Sequence, residues 1–197
     1  IAPVDIMDEE GEMELPVPEG KRIQVNYVGA HLANYDSMLV LSHFKGHPMG
    51  GFGGALKNIS IGIASSHGKA YIHGSGKPEE IWTGDHDSFL ESMADADKSI
   101  VKHFGDKIAF INVMRNMSVD CDCAAKAADP CIKDIGILAS LDPVALDQAC
   151  IDMVYQSDDP GKAELIERIE SRNGTLTIKA AEAVGVGTRE YELVNVD

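Results

Sequence analysis

Apolar residues in this chain fall into two kinds of run. Short continuous runs occupy residues 38–41, 107–114 and 134–140, and apolar runs of that length between polar or turn residues predict strands. The second of them (Ile108, Ala109, Phe110, Ile111, Val113) is unbroken enough to predict a strand buried on both faces. Residues 22–28 alternate and predict a further strand. Elsewhere the period is helical. Phe89, Leu90, Met93, Ala96, Ile100, Val101 and Phe104 share one face of a predicted helix, with Asp85 or Asp87 as cap and Gly105 as its end. Asp142-Pro143 opens a helix to residue 155, and Asp159-Pro160 repeats the device for a helix to residue 172, closed by Asn173-Gly174. A last helix is expected over 176–184 and a terminal strand over 191–196. Residues 54–64 predict a helix that Gly62 weakens, and residues 65–77 a loop with a short strand at 70–73. The acidic, proline-containing residues 1–20 predict irregular chain. Strands and helices interleave, so the expected fold is a single α/β domain over 1–197, layered, with a mainly parallel or mixed sheet flanked by helices.

Charge changes this picture more than size does. The chain has 197 residues, 44% of them hydrophobic, enough for a sizeable core. Its formal net charge is −15 with no lysine- or arginine-rich tract, which argues against nucleic acid as a partner. No apolar run is long enough to span a bilayer, so no membrane role is expected. Four cysteines without a secretory leader point to the reducing cytoplasm rather than a disulfide framework. Against this acidic background Lys45, Lys57 and Lys69 cluster near one stretch, which hints at an anionic ligand; three ordinary surface lysines are the alternative.

That stretch is the densest chemistry in the chain. Between Ser42 and Ala55 lie His43, His47 and five glycines. Glycines at that density suggest positive-φ positions or backbone brought close to a bound group. Gly50, Gly51, Gly53 and Gly54 precede a predicted helix, so amides and the helix N-terminus are candidates to cradle an anion, with Lys45, Lys57 and Asn58 beside them. The spacing matches neither the P-loop nor the dinucleotide fingerprint. His43 and His47 are spaced as a metal pair, although Pro48 opposes helical geometry, and one structural with one exposed histidine is the alternative. Cys121-Asp122-Cys123 places two thiols one residue apart, suited to a soft metal, a redox pair or plain packing. Cys150 reads as core, and His67, His73 and His86 flank the glycines.

Several of these motifs together resemble one family. Ser-His-Phe-Lys-Gly-His (42–47), Gly-Phe-Gly-Gly-Ala-Leu-Lys-Asn (51–58), Cys-Asp-Cys (121–123), Asp-Ile-Gly-Ile-Leu-Ala-Ser (134–140) and Asp-Pro-Val-Ala-Leu-Asp-Gln-Ala (142–149) occur in order over residues 20–196. They resemble the iron–sulfur-associated "domain of unknown function 362" (DUF362) family. The resemblance implies no agreed reaction. Many members carry a ferredoxin-type segment between the glycine and Cys-Asp-Cys motifs. Residues 74–120 contain no cysteine here, so no 4Fe–4S cluster is expected in this chain. It also implies that Ile1 lies inside a longer protein, of which this is the C-terminal part, with the N-terminal remainder or a redox partner completing the site.

Three readings follow. In the first, His43, His47, Cys121 and Cys123 hold iron, zinc or nickel in a redox-linked enzyme, next to an anion-binding glycine loop. In the second, the loop and lysines bind a phosphorylated or other anionic small molecule without metal. In the third, the acidic surface docks a basic partner in an assembly.

Overall fold

The computed structural model describes residues 3–122, 126 and 128–196. β1 (Glu12–Pro16) and β2 (Val25–Gly29) form an antiparallel pair. β3 (Met38–His43) runs into a small antiparallel hairpin, β4 (Lys45–His47) and β5 (Gly51–Gly53). A short helix α1 (Ala55–Lys57) continues as a π-helical turn, Asn58–Gly62. Helices α2 (Ser66–His73) and α3 (His86–Phe104) lead to β6 (Ile108–Met114). After β7 (Gly136–Ser140) come α4 (Pro143–Gln156), α5 (Lys162–Ser171) and α6 (Thr175–Ala183). β3 pairs parallel with β6, and β6 pairs antiparallel with β7. The fold is α/β, a mixed sheet flanked by helices, and no described helix is long and apolar enough to cross a membrane.

Locally encoded elements form where the side chains dictate. Asp85 caps α3 through Ser88 N at 2.9 Å, and Gly105 ends it at φ 58°. Asp142 accepts from Val144 N and Ala145 N at the start of α4. The differences are equally local. β1 forms within the stretch expected to be irregular, because Met13 and Leu15 alternate with Glu12 and Glu14. Residues 70–73 are helical rather than extended, because Ser65 caps α2 through Gly68 N at 2.9 Å. Residues 54–64 do not make one regular helix. The Asn58 amide reaches back to Leu41 O and Ser42 Oγ, both at 3.0 Å, and the chain widens into the π-turn there. Residues 191–196 form no strand; Tyr191 Oη donates to Asp152 Oδ2 at 2.7 Å and the tail lies along β7 and α4.

The core lies between the sheet and α1, α3 and α4. Val40, Ser42, Ile108, Phe110, Asn112, Met114 and Leu138 are the buried set of the three strands. The opposite set, Leu39, Leu41, Ala109, Ile111, Val113, Ile137 and Ala139, is exposed or half-buried, so β6 is not buried on both faces. The loop between β1 and β2 is tied to α3 instead of to a strand. The Asp95 carboxylate accepts from the backbone N–H groups of Lys21, Arg22 and Ile23, and Glu91 pairs with the Lys21 and Arg22 side chains, each at 2.6 Å.

Candidate functional site

The β4–β5 hairpin turns directly after β3, at the carboxyl end of the parallel strand pair, where α/β folds present ligand sites. Gly51 has φ 78°, and a Cβ there would lie 2.7 Å from Cα of Gly174, so only glycine lets the hairpin meet the start of α6. The turn is held by Arg172 Nε, which donates to Pro48 O at 2.7 Å.

The hairpin brings cationic and imidazole groups together. The Lys57 stem lies over Gly50 and Gly53: Cβ atoms there would sit 3.9 Å and 3.6 Å from its Cδ. Lys45 crosses Gly53 as well, its Nζ 3.4 Å from the same position, and donates to His43 O at 3.1 Å. His47 is buried, and its Nδ1 accepts from Met49 N at 3.2 Å and Gly50 N at 2.9 Å. Burial, then the charges of Lys57, Lys45 and neighbouring groups including Arg168, drives its pKa down to about 3. The ring is therefore neutral and carries its proton on Nε2, where it is a donor. His73 donates from Nδ1 to Lys69 O at 2.6 Å and stacks on Phe89; burial lowers its pKa too, with Lys57 adding to the shift. Arg168 on α5 pairs with Asp120 at 2.7 Å. The result is a patch of donors and positive charge in an acidic chain.

Gly54 and Asn58 belong to the scaffold beneath. The amides at the start of α1 are taken by a carboxylate of the chain itself: Asp147 on α4 accepts from Ala55 N at 2.8 Å and Leu56 N at 3.0 Å. Asn112 Nδ2 donates to the same carboxylate at 2.7 Å. A Cβ on Gly54 would run into Asp147. The expected anion cradle at this helix N-terminus is thus filled internally, and Asn58 spends its amide on β3. Asp147 is fully buried, and burial raises its pKa to about 6 against the opposing bonds from Asn112, Leu56 N and Ala55 N.

Of the expected metal ligands, the described ones, His43, His47 and Cys121, do not form a three-residue metal-binding group. His43 Nδ1 lies 2.6 Å from Asp122 Oδ2 and its Nε2 2.7 Å from Arg115 O. Both ring nitrogens face acceptors, which leaves no lone pair directed at a metal. His47 uses its only lone pair on two amides. Cys121 is buried beside Asp122, and Cys123 lies outside the described residues. Among the described residues no group of three His, Cys, Asp or Glu side chains is placed to hold a metal ion. Cys131 donates to Met117 O at 3.4 Å, and Cys150 packs against Asn112, with burial raising both thiol pKa values.

Sequence reasoning missed Asp147, Asn112 and Arg168. The signal for Asp147 was present: an acid on the otherwise apolar face made by Val144, Ala145, Leu146, Cys150 and Ile151. Such a residue needs a donor set to be buried.

Fold and site together define an α/β protein with a glycine hairpin covered by two lysines at the end of its parallel strands. The chain belongs to the family described as "Domain of unknown function (DUF362)", whose sequence model matches residues 1–152. No curated protein and no solved structure matches the chain.

Proposed function

We propose that this chain binds a small anionic molecule, bearing a phosphate or carboxylate group, at the β4–β5 hairpin. The observation that carries this reading is the convergence of Lys45, Lys57 and the neutral, Nε2-protonated His47 on glycines 50 and 53. Among the described residues no carboxylate pairs with Lys45. The positive charge of Lys45 beside the neutral His47 donor attracts an anion in an otherwise acidic protein. Sulfate is the probe of choice, because its charge is constant between pH 5 and 8. Titration calorimetry is expected to show Lys45→Ala and Lys57→Ala each weakening sulfate binding by about 10-fold or more. Because the His47 pKa is about 3, affinity stays flat over that pH range. Equal affinity in wild type and both lysine variants would overturn the reading.

One observation favours a second reading, a redox-linked metal enzyme: the 2.6 Å contact of His43 with Asp122 ties the ring to the residue that follows Cys121. A carboxylate on one ring nitrogen is the usual support of a histidine ligand. In that reading His43 gives up Arg115 O to bind metal through Nε2, with the thiolates. Elemental analysis of anaerobically purified protein separates the two. The anion reading expects iron, zinc and nickel well below stoichiometric; one metal per chain, lost in Cys121→Ser, would establish the second.

A further inference from the structure

The mixed sheet carries helices on one face, and among the described residues nothing covers the other, which is apolar. Leu39 and Leu41 on β3 are 59% and 63% exposed, Ile137 on β7 is 62% exposed, and Leu141 just beyond it is 76% exposed. Register places them side by side: Leu41 is opposite Ile111, Ile111 opposite Ala139, and Val113 opposite Ile137. The patch continues past β7, where Ile137 and Ala139 line a groove of about 400 Å³ with Leu193, Val194 and Val196 of the tail. β3 and β6 are parallel neighbours, and parallel strands are ordinarily covered on both faces.

We propose that this face is the contact surface for a second copy of the chain, packed sheet against sheet about a two-fold axis. Area is the first argument. Leu39, Leu41, Ile137 and Leu141, with Leu193, Val194 and Val196 of the tail, are each more than half exposed. That many large apolar side chains amount to several hundred Å², on the order of the about 300–600 Å² patches that mark interaction sites and of the about 800 Å² per partner of a stable interface. Charge is the second argument. With a net charge of −15, two copies repel over most of their surfaces. The outward positions of residues 39–41, 109–113 and 137–139 carry no carboxylate, so here two copies meet with least repulsion. Shape is the third. An open sheet face can be self-complementary, as a two-fold contact requires, and two such faces pack about 10 Å apart with interdigitated side chains.

Sedimentation velocity of the full chain between about 1 and 100 micromolar tests this, because a dimer follows mass action. Wild type is expected to dimerise in this range. Leu41→Asp and Ile137→Asp are each expected to raise the dissociation constant by about 100-fold, since each buries an unpaired charge in the interface. Both positions are exposed in the monomer, so unchanged circular dichroism and melting temperature of the diluted variants will show that the fold is intact. A wild type that stays monomeric throughout, or a dimer indifferent to both substitutions, overturns the proposal. The first result would leave the face to a different protein, the second would place the dimer contact elsewhere.

Discussion

Asp147→Ala is expected to cost about 3–5 kcal/mol of stability, read as a lower urea midpoint at unchanged slope. The Asp147 carboxylate is fully buried and holds three donors, Ala55 N, Leu56 N and Asn112 Nδ2. Alanine leaves all three unpaired in the core, at about 1–3 kcal/mol each. Gly54→Ala attacks the same contact from the other side, because its Cβ meets that carboxylate. The two substitutions therefore couple, and the double variant should lose less than the two single losses together. Acidity gives an independent check. The folded pKa is about 6, raised from 3.8 by burial. Between about pH 4 and pH 6 the unfolded chain has released this proton while the folded chain keeps it. Stability from this group is therefore complete below pH 4 and falls as pH rises through 6, by about 3 kcal/mol in all. That fall disappears in Asp147→Ala.

Asp97→Asn is expected to act the opposite way and raise the melting temperature at pH 8, with a gain that shrinks towards zero at pH 4. Asp97 is fully buried on α3, and neither of its carboxylate oxygens has a hydrogen-bond partner among the described residues. Burial first, then the neighbouring Asp147 carboxylate, push its pKa well above the ordinary 3.8; Ser60 acts the other way, and Asp95 adds a smaller push. A protonated Asp97 suits these surroundings and an ionised one does not. Holding that proton costs about 1.4 kcal/mol per pH unit above the unfolded value, until the folded pKa is reached. Asparagine has the same shape and no proton to hold. A melting temperature at pH 8 that is unchanged or lower in Asp97→Asn would show that the ionised form is held by a cation or another donor.

His47 sets the acid side of the profile. Its folded pKa of about 3 lies below the unfolded 6.5, so its contribution is complete above 6.5 and is lost as pH falls towards 3. Stability is thus squeezed from the acid side by an imidazole kept neutral and from the alkaline side by two carboxyls kept protonated.

The contrast between these groups and the helix caps shows what the sequence could display. Asp85, Gly105 and Asp142 act on residues within one turn of themselves, so their roles are legible from spacing alone. The apolar runs mark β3, β6 and β7 as strands, but their order in the sheet is set by pairings between distant residues that no run displays. Residues 70–73 misled because Tyr71 and Ile72 favour strands by type, while the Ser65 cap, six residues before Tyr71, decided for helix. In the site, Lys45, Lys57 and the glycines were legible as a cluster because they are close in sequence. Asp147 reaches Ala55 across 92 residues and Arg168 reaches Asp120 across 48. No local pattern announces such pairs, and they turned the helix N-terminus from a ligand site into a structural joint.

The Asp95 carboxylate has a consequence for the order in which the molecule opens. It gathers three successive amides, those of residues 21–23, which no strand partner protects. These amides are shielded from solvent exchange only while α3 is docked, since α3 carries Asp95 and Glu91. The tip of the β1–β2 ribbon therefore cannot melt as an independent flap: its release and the undocking of α3 are one cooperative event, and the hairpin inherits the lifetime of the longest helix in the fold.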